Sequence, residues 1–183
     1  SNRLRDQLKG VGSGQLLGCS VTATAPDGGS GCSVILGSNS ESAVIVEIAS
    51  DLLVAATAAI VTGVPVIEYN LACPNVTEHP EEGEMFQSAD LVKYLFAESR
   101  RRFADTKFGF KAGLYRDKDQ MRKVLAAAGD NLDFLSLINA VAMEVLDKDG
   151  NQIIGAGRKA GTCGVPLRTI ALESIGWAAD LRE

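Results

Sequence analysis

Three asparagines and a cysteine stand where polar side chains can meet a ligand. The stretch VIEYNLACPNV begins as an apolar strand and turns polar at Asn70, Cys73 and Asn75. A second apolar strand pattern, over 132–139, ends at Asn139. An asparagine amide both donates and accepts hydrogen bonds, so three of them at one edge suit a planar ligand such as a pyrimidine. Taken singly, each asparagine could instead cap a helix or brace a loop.

Two side chains in this pattern, those of Cys73 and Lys111, can carry charge. Cys73 lies in a loop before a proline. A buried structural role is common for cysteine. A loop position at a strand end suits acid–base chemistry instead, provided that the surroundings lower the pKa of the thiol towards neutral. Lys111 follows Phe108 and Phe110 in an alternating strand, and we expect it to point to the same interior face as they do. A lysine there requires an anion or a ligand. A lysine that reaches the surface is the alternative.

The glycine-rich segment GAGRKAGTCG, at 155–164, contains G-x-G but has no strand leading directly into it, as a dinucleotide-binding fingerprint requires. Backbone N–H groups near Gly161 and Gly164, just before a predicted helix, could still hold a phosphate.

The elements that position these residues alternate between strand and helix from residue 32 onward. The predicted strands are 32–37, 66–70, 107–113 and 132–139. One predicted helix runs from Ser38 or Ser40 past Leu53, and three others span 88–103, 117–128 and 167–181. A polar loop is predicted at about 75–87. Such alternation predicts an α/β domain with a parallel sheet and crossover helices. Both an open doubly wound sheet and part of a (β/α)8 barrel fit, and in both the ligand binds beyond the carboxyl ends of the strands.

The chain has 183 residues, 46% of them hydrophobic, which predicts one globular domain over 1–183. Residues 32–183 carry the alternating pattern, whereas 1–31 are not placed. The net charge of −5 shows no basic footprint for nucleic acid, and no apolar run reaches the roughly 20 residues that cross a bilayer. The four cysteines form no C-x-x-C pair, and His79 is the only histidine, so a metal site is not predicted. We expect a reducing, cytoplasmic location.

The motif NLACPN closely resembles the N-L-S-C-P-N signature of class 1 dihydroorotate dehydrogenases. The segments CSVILGSNSE, KFGFKAG, LSLINAV and AGTCGVPLRTIALE resemble family segments in the same order, from about residue 32 to 182. The resemblance implies a (β/α)8 barrel that binds FMN at its carboxyl-terminal rim and oxidises dihydroorotate to orotate in pyrimidine biosynthesis.

The resemblance also implies a role for each matching residue. The pyrimidine-binding asparagines match Asn70, Asn75 and Asn139, the general base matches Cys73, the lysine beside the flavin matches Lys111, and the FMN contacts match Asn139 and Gly161. In the implied mechanism the cysteine removes a proton from C5 of dihydroorotate while a hydride leaves C6 for the flavin.

Three alanines depart from the family pattern: Ala72 replaces a serine, Ala140 a serine or threonine, and Ala160 a glycine. The chain is also shorter than the roughly 250 residues of a typical barrel, which predicts its central part. Two alternatives stay open. One is another FMN barrel acting on a pyrimidine, resembling dihydropyrimidine dehydrogenase. The other is a non-catalytic half-barrel without flavin, whose exposed strand edges favour assembly. We expect a homodimer.

Overall fold

The computed structural model describes residues 18–22, 41–72, 80–154 and 159–182. Within them, the strands β1 (Gly18–Val21), β2 (Val66–Asn70), β3 (Lys107–Lys111) and β4 (Phe134–Ser136) form one parallel sheet in the order β1-β2-β3-β4. A separate antiparallel pair joins β5 (Val141–Met143) to β6 (Ala160–Thr162). The predicted parallel sheet is therefore confirmed.

Four α-helices accompany the strands in the described residues: α1 (Glu41–Ile60), α2 (Ala89–Arg102), α3 (Lys118–Ala128) and α4 (Arg168–Asp180). Short 3-10 helices span Pro80–Gln87, Gly129–Asn131 and Val165–Leu167. Polar side chains fix two of the helix starts, because the Leu91 N–H donates to Ser88 Oγ at 3.2 Å and the Gln120 N–H to Asp117 Oδ1 at 2.8 Å.

The hydrophobic core lies between one face of the sheet and the helices. Ile67 and Tyr69 of β2 are fully buried there, as is Phe108 of β3. The Tyr69 ring stacks on Phe108 with 5.9 Å between centroids and meets the edge of Phe96 of α2 at 5.7 Å. The sequence spacing predicts one apolar face for α1, and the structure confirms it, since all five of its members are buried: Ile45, Ile48, Ala49, Leu52 and Leu53.

The opposite side of the sheet, here called the open face, carries polar side chains. Its members in the four strands include Ser20, Glu68, Asn70, Lys111 and Ser136. The prediction that Lys111 shares a face with Phe108 and Phe110 is wrong. Successive side chains of a strand point to opposite faces, so Lys111 lies on the open face while both phenylalanines enter the core.

Three other expectations differ in extent. The strand predicted at 132–139 is confined to Phe134–Ser136. The polar loop predicted at 75–87 contains the 3-10 helix Pro80–Gln87, with Met85 and Phe86 in the core. The glycine-rich segment contains strand β6. The strand predicted at 32–37 lies outside the described residues. Among the described helices, none is long and apolar enough to cross a membrane.

Candidate functional site

The carboxyl ends of β2 and β3 bring two of the predicted site residues side by side. Asn70 and Lys111 are the last residues of their strands, and they are register partners in the parallel pair. The backbone continues this arrangement, because the Leu71 N–H donates to the Lys111 carbonyl at 3.2 Å. Parallel pairing alone therefore places an amide and an ammonium group at one edge of the open face.

Asn139 joins them from beyond β4. Its backbone N–H donates to the Ala112 carbonyl at 2.9 Å, just past the end of β3. Its side-chain Nδ2 lies 3.4 Å from Asn70 Oδ1 and also donates to the Ala72 carbonyl. Its Oδ1 accepts the Ala140 N–H at 2.9 Å. These contacts fix the Asn139 amide against the backbone.

The Asn70 amide is less completely engaged than that of Asn139. Its Oδ1 accepts from Asn139, but its Nδ2 makes no hydrogen bond to any described residue. The side chain is half-buried at the end of β2. An N–H pair in this position can donate to a carbonyl of a bound ligand.

Glu68 is the residue of this site that the sequence reasoning did not identify. Its Oε1 lies 3.6 Å from Lys111 Nζ and accepts from Ser20 Oγ at 3.0 Å, while its Oε2 accepts from Ser136 Oγ at 2.5 Å. The Lys111 and Glu68 side chains are 33% and 20% exposed, so each partly buried charge has an opposite charge beside it. The available signal was its spacing, two residues before Asn70 and hence on the same face.

Two aromatic residues on the core side of the sheet, Phe86 and Tyr115, are connected by hydrogen bonds to the backbone just beyond the end of β2. The Phe86 N–H donates to the Leu71 carbonyl at 3.1 Å, and Tyr115 Oη donates to the Phe86 carbonyl at 3.3 Å. Burial raises the pKa of Tyr115 and raises that of Tyr69 to about 12. Both phenols therefore stay neutral at ordinary pH.

The remaining predicted residues are placed differently. Cys73 and Asn75 lie outside the described residues, so their roles as base and pyrimidine ligand stay predictions. Gly161 lies in β6, opposite Ala142 of β5. Strand β5 begins two residues after Asn139, which connects this hairpin to the rim. The role of Gly161 at a phosphate also stays a prediction.

The chain resembles one known enzyme over most of its length. A dihydroorotate dehydrogenase from Dictyostelium discoideum is 27% identical over 124 residues, which cover 65% of this chain and 33% of that protein. The match thus spans about a third of the length of that relative. No protein-family model matches the chain. The similarity supports a distant relationship to dihydroorotate dehydrogenases.

Proposed function

We propose that this chain is part of an FMN-dependent oxidoreductase that oxidises dihydroorotate to orotate. The observation that supports it best is the cluster of Asn70, Lys111 and Asn139 at the carboxyl ends of adjacent parallel strands, the position at which α/β folds bind their ligands. The partial similarity to a dihydroorotate dehydrogenase agrees with this chemistry.

The sheet supports a portion of a (β/α)8 barrel as the fold. Its strands follow one another in chain order, whereas a doubly wound sheet reverses its order at a switch point. The core residues of β2 and β3 face the helices, and the opposite face carries the polar cluster. In a barrel this open face would form the interior. The single domain predicted over 1–183, with the barrel part in 32–183, is retained in the proposal.

The described residues fit a flavin in two respects. Lys111 presents an ammonium whose described partner is the Glu68 carboxylate, 3.6 Å away, and it has donor capacity left for a ring acceptor. Asn139 is held rigidly by backbone contacts beside it. When bound, FMN would supply the acceptor for the hydride. Gly161 is proposed to lie near its phosphate.

The protein side chains would orient the substrate and move its proton. Asn70, Asn75 and Asn139 would hydrogen-bond the pyrimidine and so fix the reacting carbons relative to Cys73. The Cys73 thiolate would take the proton from C5 of dihydroorotate as general base. Lys111 would stabilise negative charge that develops beside it. The predicted homodimer and cytoplasmic location remain part of the proposal.

The first test is flavin uptake by the purified chain. FMN is added, excess is removed, and the visible spectrum is recorded; retained flavin absorption is expected. Dihydroorotate is then added without oxygen, and bleaching of the flavin band is expected. Cys73→Ser should slow this bleaching strongly. A chain that retains no FMN, or one whose flavin is not reduced by dihydroorotate, contradicts the proposed activity.

A matched pair of variants tests the asparagine cluster. Asn70→Ala should weaken orotate binding to the FMN-loaded chain about tenfold, which corresponds to the roughly 1.4 kcal/mol of one good hydrogen bond. Asn131→Ala makes the same change in the 3-10 helix before β4, at the other end of the sheet. It should leave orotate binding unchanged. Equal effects of the two substitutions would remove Asn70 from the site.

A further inference from the structure

One carboxylate, that of Glu68, connects all four strands on the open face. Glu68 belongs to β2, and its partners come from β1 (Ser20), β3 (Lys111) and β4 (Ser136). The two hydroxyl groups donate to different carboxylate oxygens. The carboxylate is therefore fixed from two sides before the lysine is considered.

The close approach of β4 to β3 makes this arrangement possible. Glu68 pairs with Gly109, and Gly109 pairs with Phe134, whereas Ser136 pairs with Lys111 one pleat further on. A Cβ at position 109 would stand 2.4 Å from the Phe134 carbonyl oxygen. Only a glycine at position 109 permits this close approach of β4 to β3, which brings Ser136 within hydrogen-bonding distance of Glu68 across the intervening strand.

The position of Glu68 determines where the lysine goes. The Lys111 backbone lies beside Asn70, two residues beyond Glu68, yet its ammonium is 3.6 Å from the Glu68 carboxylate. The ammonium and the carboxylate therefore meet on the open face, where Ser136, the register partner of Lys111, also binds the carboxylate. Among the described residues, this is the only ion pair that Lys111 makes.

The two serines alone do not explain why position 68 is an acid. A glutamine could bind both serines without the cost of burying a charge, because its amide oxygen could accept from one hydroxyl while its amide N–H donates to the other hydroxyl oxygen. A carboxylate is needed to hold an ammonium group. Removing either partner would leave the other partly buried and uncompensated.

We propose that Glu68 is a positioning residue that holds the Lys111 ammonium on the open face, where it contacts the bound flavin ring. This inference rests on the proposed function, because it concerns the lysine assigned to the flavin. Glu68 acts through Lys111 and does not itself touch the substrate.

The test compares four proteins: wild type, Glu68→Gln, Lys111→Met and the double variant. Midpoint potentials of bound FMN give the ratio of affinities for the reduced and oxidised forms. In the wild-type background, Lys111→Met should lower this ratio about tenfold, equivalent to about 30 mV for a two-electron couple. In the Glu68→Gln background the same substitution should change it less than about threefold, because the lysine is no longer held at the ring.

Glu47→Gln serves as the control, since Glu47 is exposed on α1, the helix packed on the other side of the sheet. It should leave the effect of Lys111→Met intact. A Lys111→Met effect that is equally large with Glu68 and with Gln at position 68 overturns the inference while the proposed function stands.

A second measurement does not need flavin. Lysines are reductively methylated with ¹³C-formaldehyde and a borohydride reductant, and the Lys111 signal is assigned from its absence in Lys111→Arg. In the FMN-free protein the chemical shift of this signal should differ from those of exposed lysines. In Glu68→Gln it should fall within their range. If the wild-type chain takes up no FMN, the proposed function is wrong, and so is the proposed contact between Lys111 and the flavin ring. An unmoved signal shows that Glu68 does not position Lys111.

Discussion

Replacing Gly109 by alanine should destabilise the protein at the centre of the candidate site. A Cβ at this position would lie 2.4 Å from the Phe134 carbonyl oxygen and 2.5 Å from two carbons of its ring. Ordinary contacts of a Cβ begin near 3.4 Å, so β3 and β4 would have to separate by roughly 1 Å, and the Phe134 ring would have to move as well. Because one neighbour is backbone, a side-chain rotation alone cannot relieve the clash.

The size of the effect follows from three contributions. Overpacking of this kind costs about 1–3 kcal/mol. Separation of the strands would also weaken the 2.5 Å hydrogen bond from Ser136 to Glu68, and bonds to charged groups contribute about 1.5–3 kcal/mol. The smaller chain entropy of alanine returns about 0.5–1 kcal/mol. We expect a net loss of about 2–4 kcal/mol in the free energy of unfolding.

Thermal unfolding followed by circular dichroism measures this loss. For a chain of this length each kcal/mol shifts Tm by about 2–4 °C, so Gly109→Ala should lower Tm by roughly 5–15 °C. Gly176→Ala is the matched control, because Gly176 lies within α4 and its added Cβ would meet nothing within 4 Å. It should stabilise the helix by about 0.5–1 kcal/mol. A Gly109→Ala variant as stable as wild type would refute the close approach of β4 to β3.

Two predictions concern pH. Burial raises the pKa of Tyr69 from 10.0 to about 12. The stability linked to its neutral form is therefore complete below about pH 10 and is lost as the pH rises towards 12. The urea midpoint of unfolding should fall over this range, and it should fall less in Tyr69→Phe. For Asp133, burial raises the pKa, but hydrogen bonds from Lys107, the Phe108 N–H and Arg100 outweigh it and the pKa is lowered. Its contribution is therefore present above pH 3.8 and is lost as the pH falls through the folded-state pKa. Asp133→Asn should lower the free energy of unfolding by about 1–3 kcal/mol at neutral pH, and its stability should fall less steeply than that of wild type as the pH is lowered. Urea midpoints measured across the acid range test this, and a fall as steep as in wild type would contradict it.

The sequence predicted most of the helices and central strands, because these elements bury apolar side chains with a regular period. The spacing of Met121, Val124, Leu125 and Ala128 predicts one apolar face for α3. The structure buries three of them and packs the partly buried Leu125 against the core. The β5–β6 pair was missed for a physical reason. Ala160–Thr162 contains a glycine and no large apolar residue, so β6 has little strand signal of its own. Its pairing with Val141–Met143 joins segments that are distant in the chain.

The positions of three polar residues of the candidate site were predictable from the sequence, but Glu68 and the ion pair that it forms were not. Asn70, Lys111 and Asn139 could be placed at strand ends because parallel strands align their carboxyl ends. The cost of a partly buried charge that predicts a partner for Lys111 applies equally to Glu68, two residues before Asn70. Each of these charges is explained by the other, 3.6 Å away. The serines that anchor the carboxylate lie 48 and 68 residues from it along the chain. Their contribution depends on the order and register of β1, β2 and β4, and local sequence patterns do not determine either.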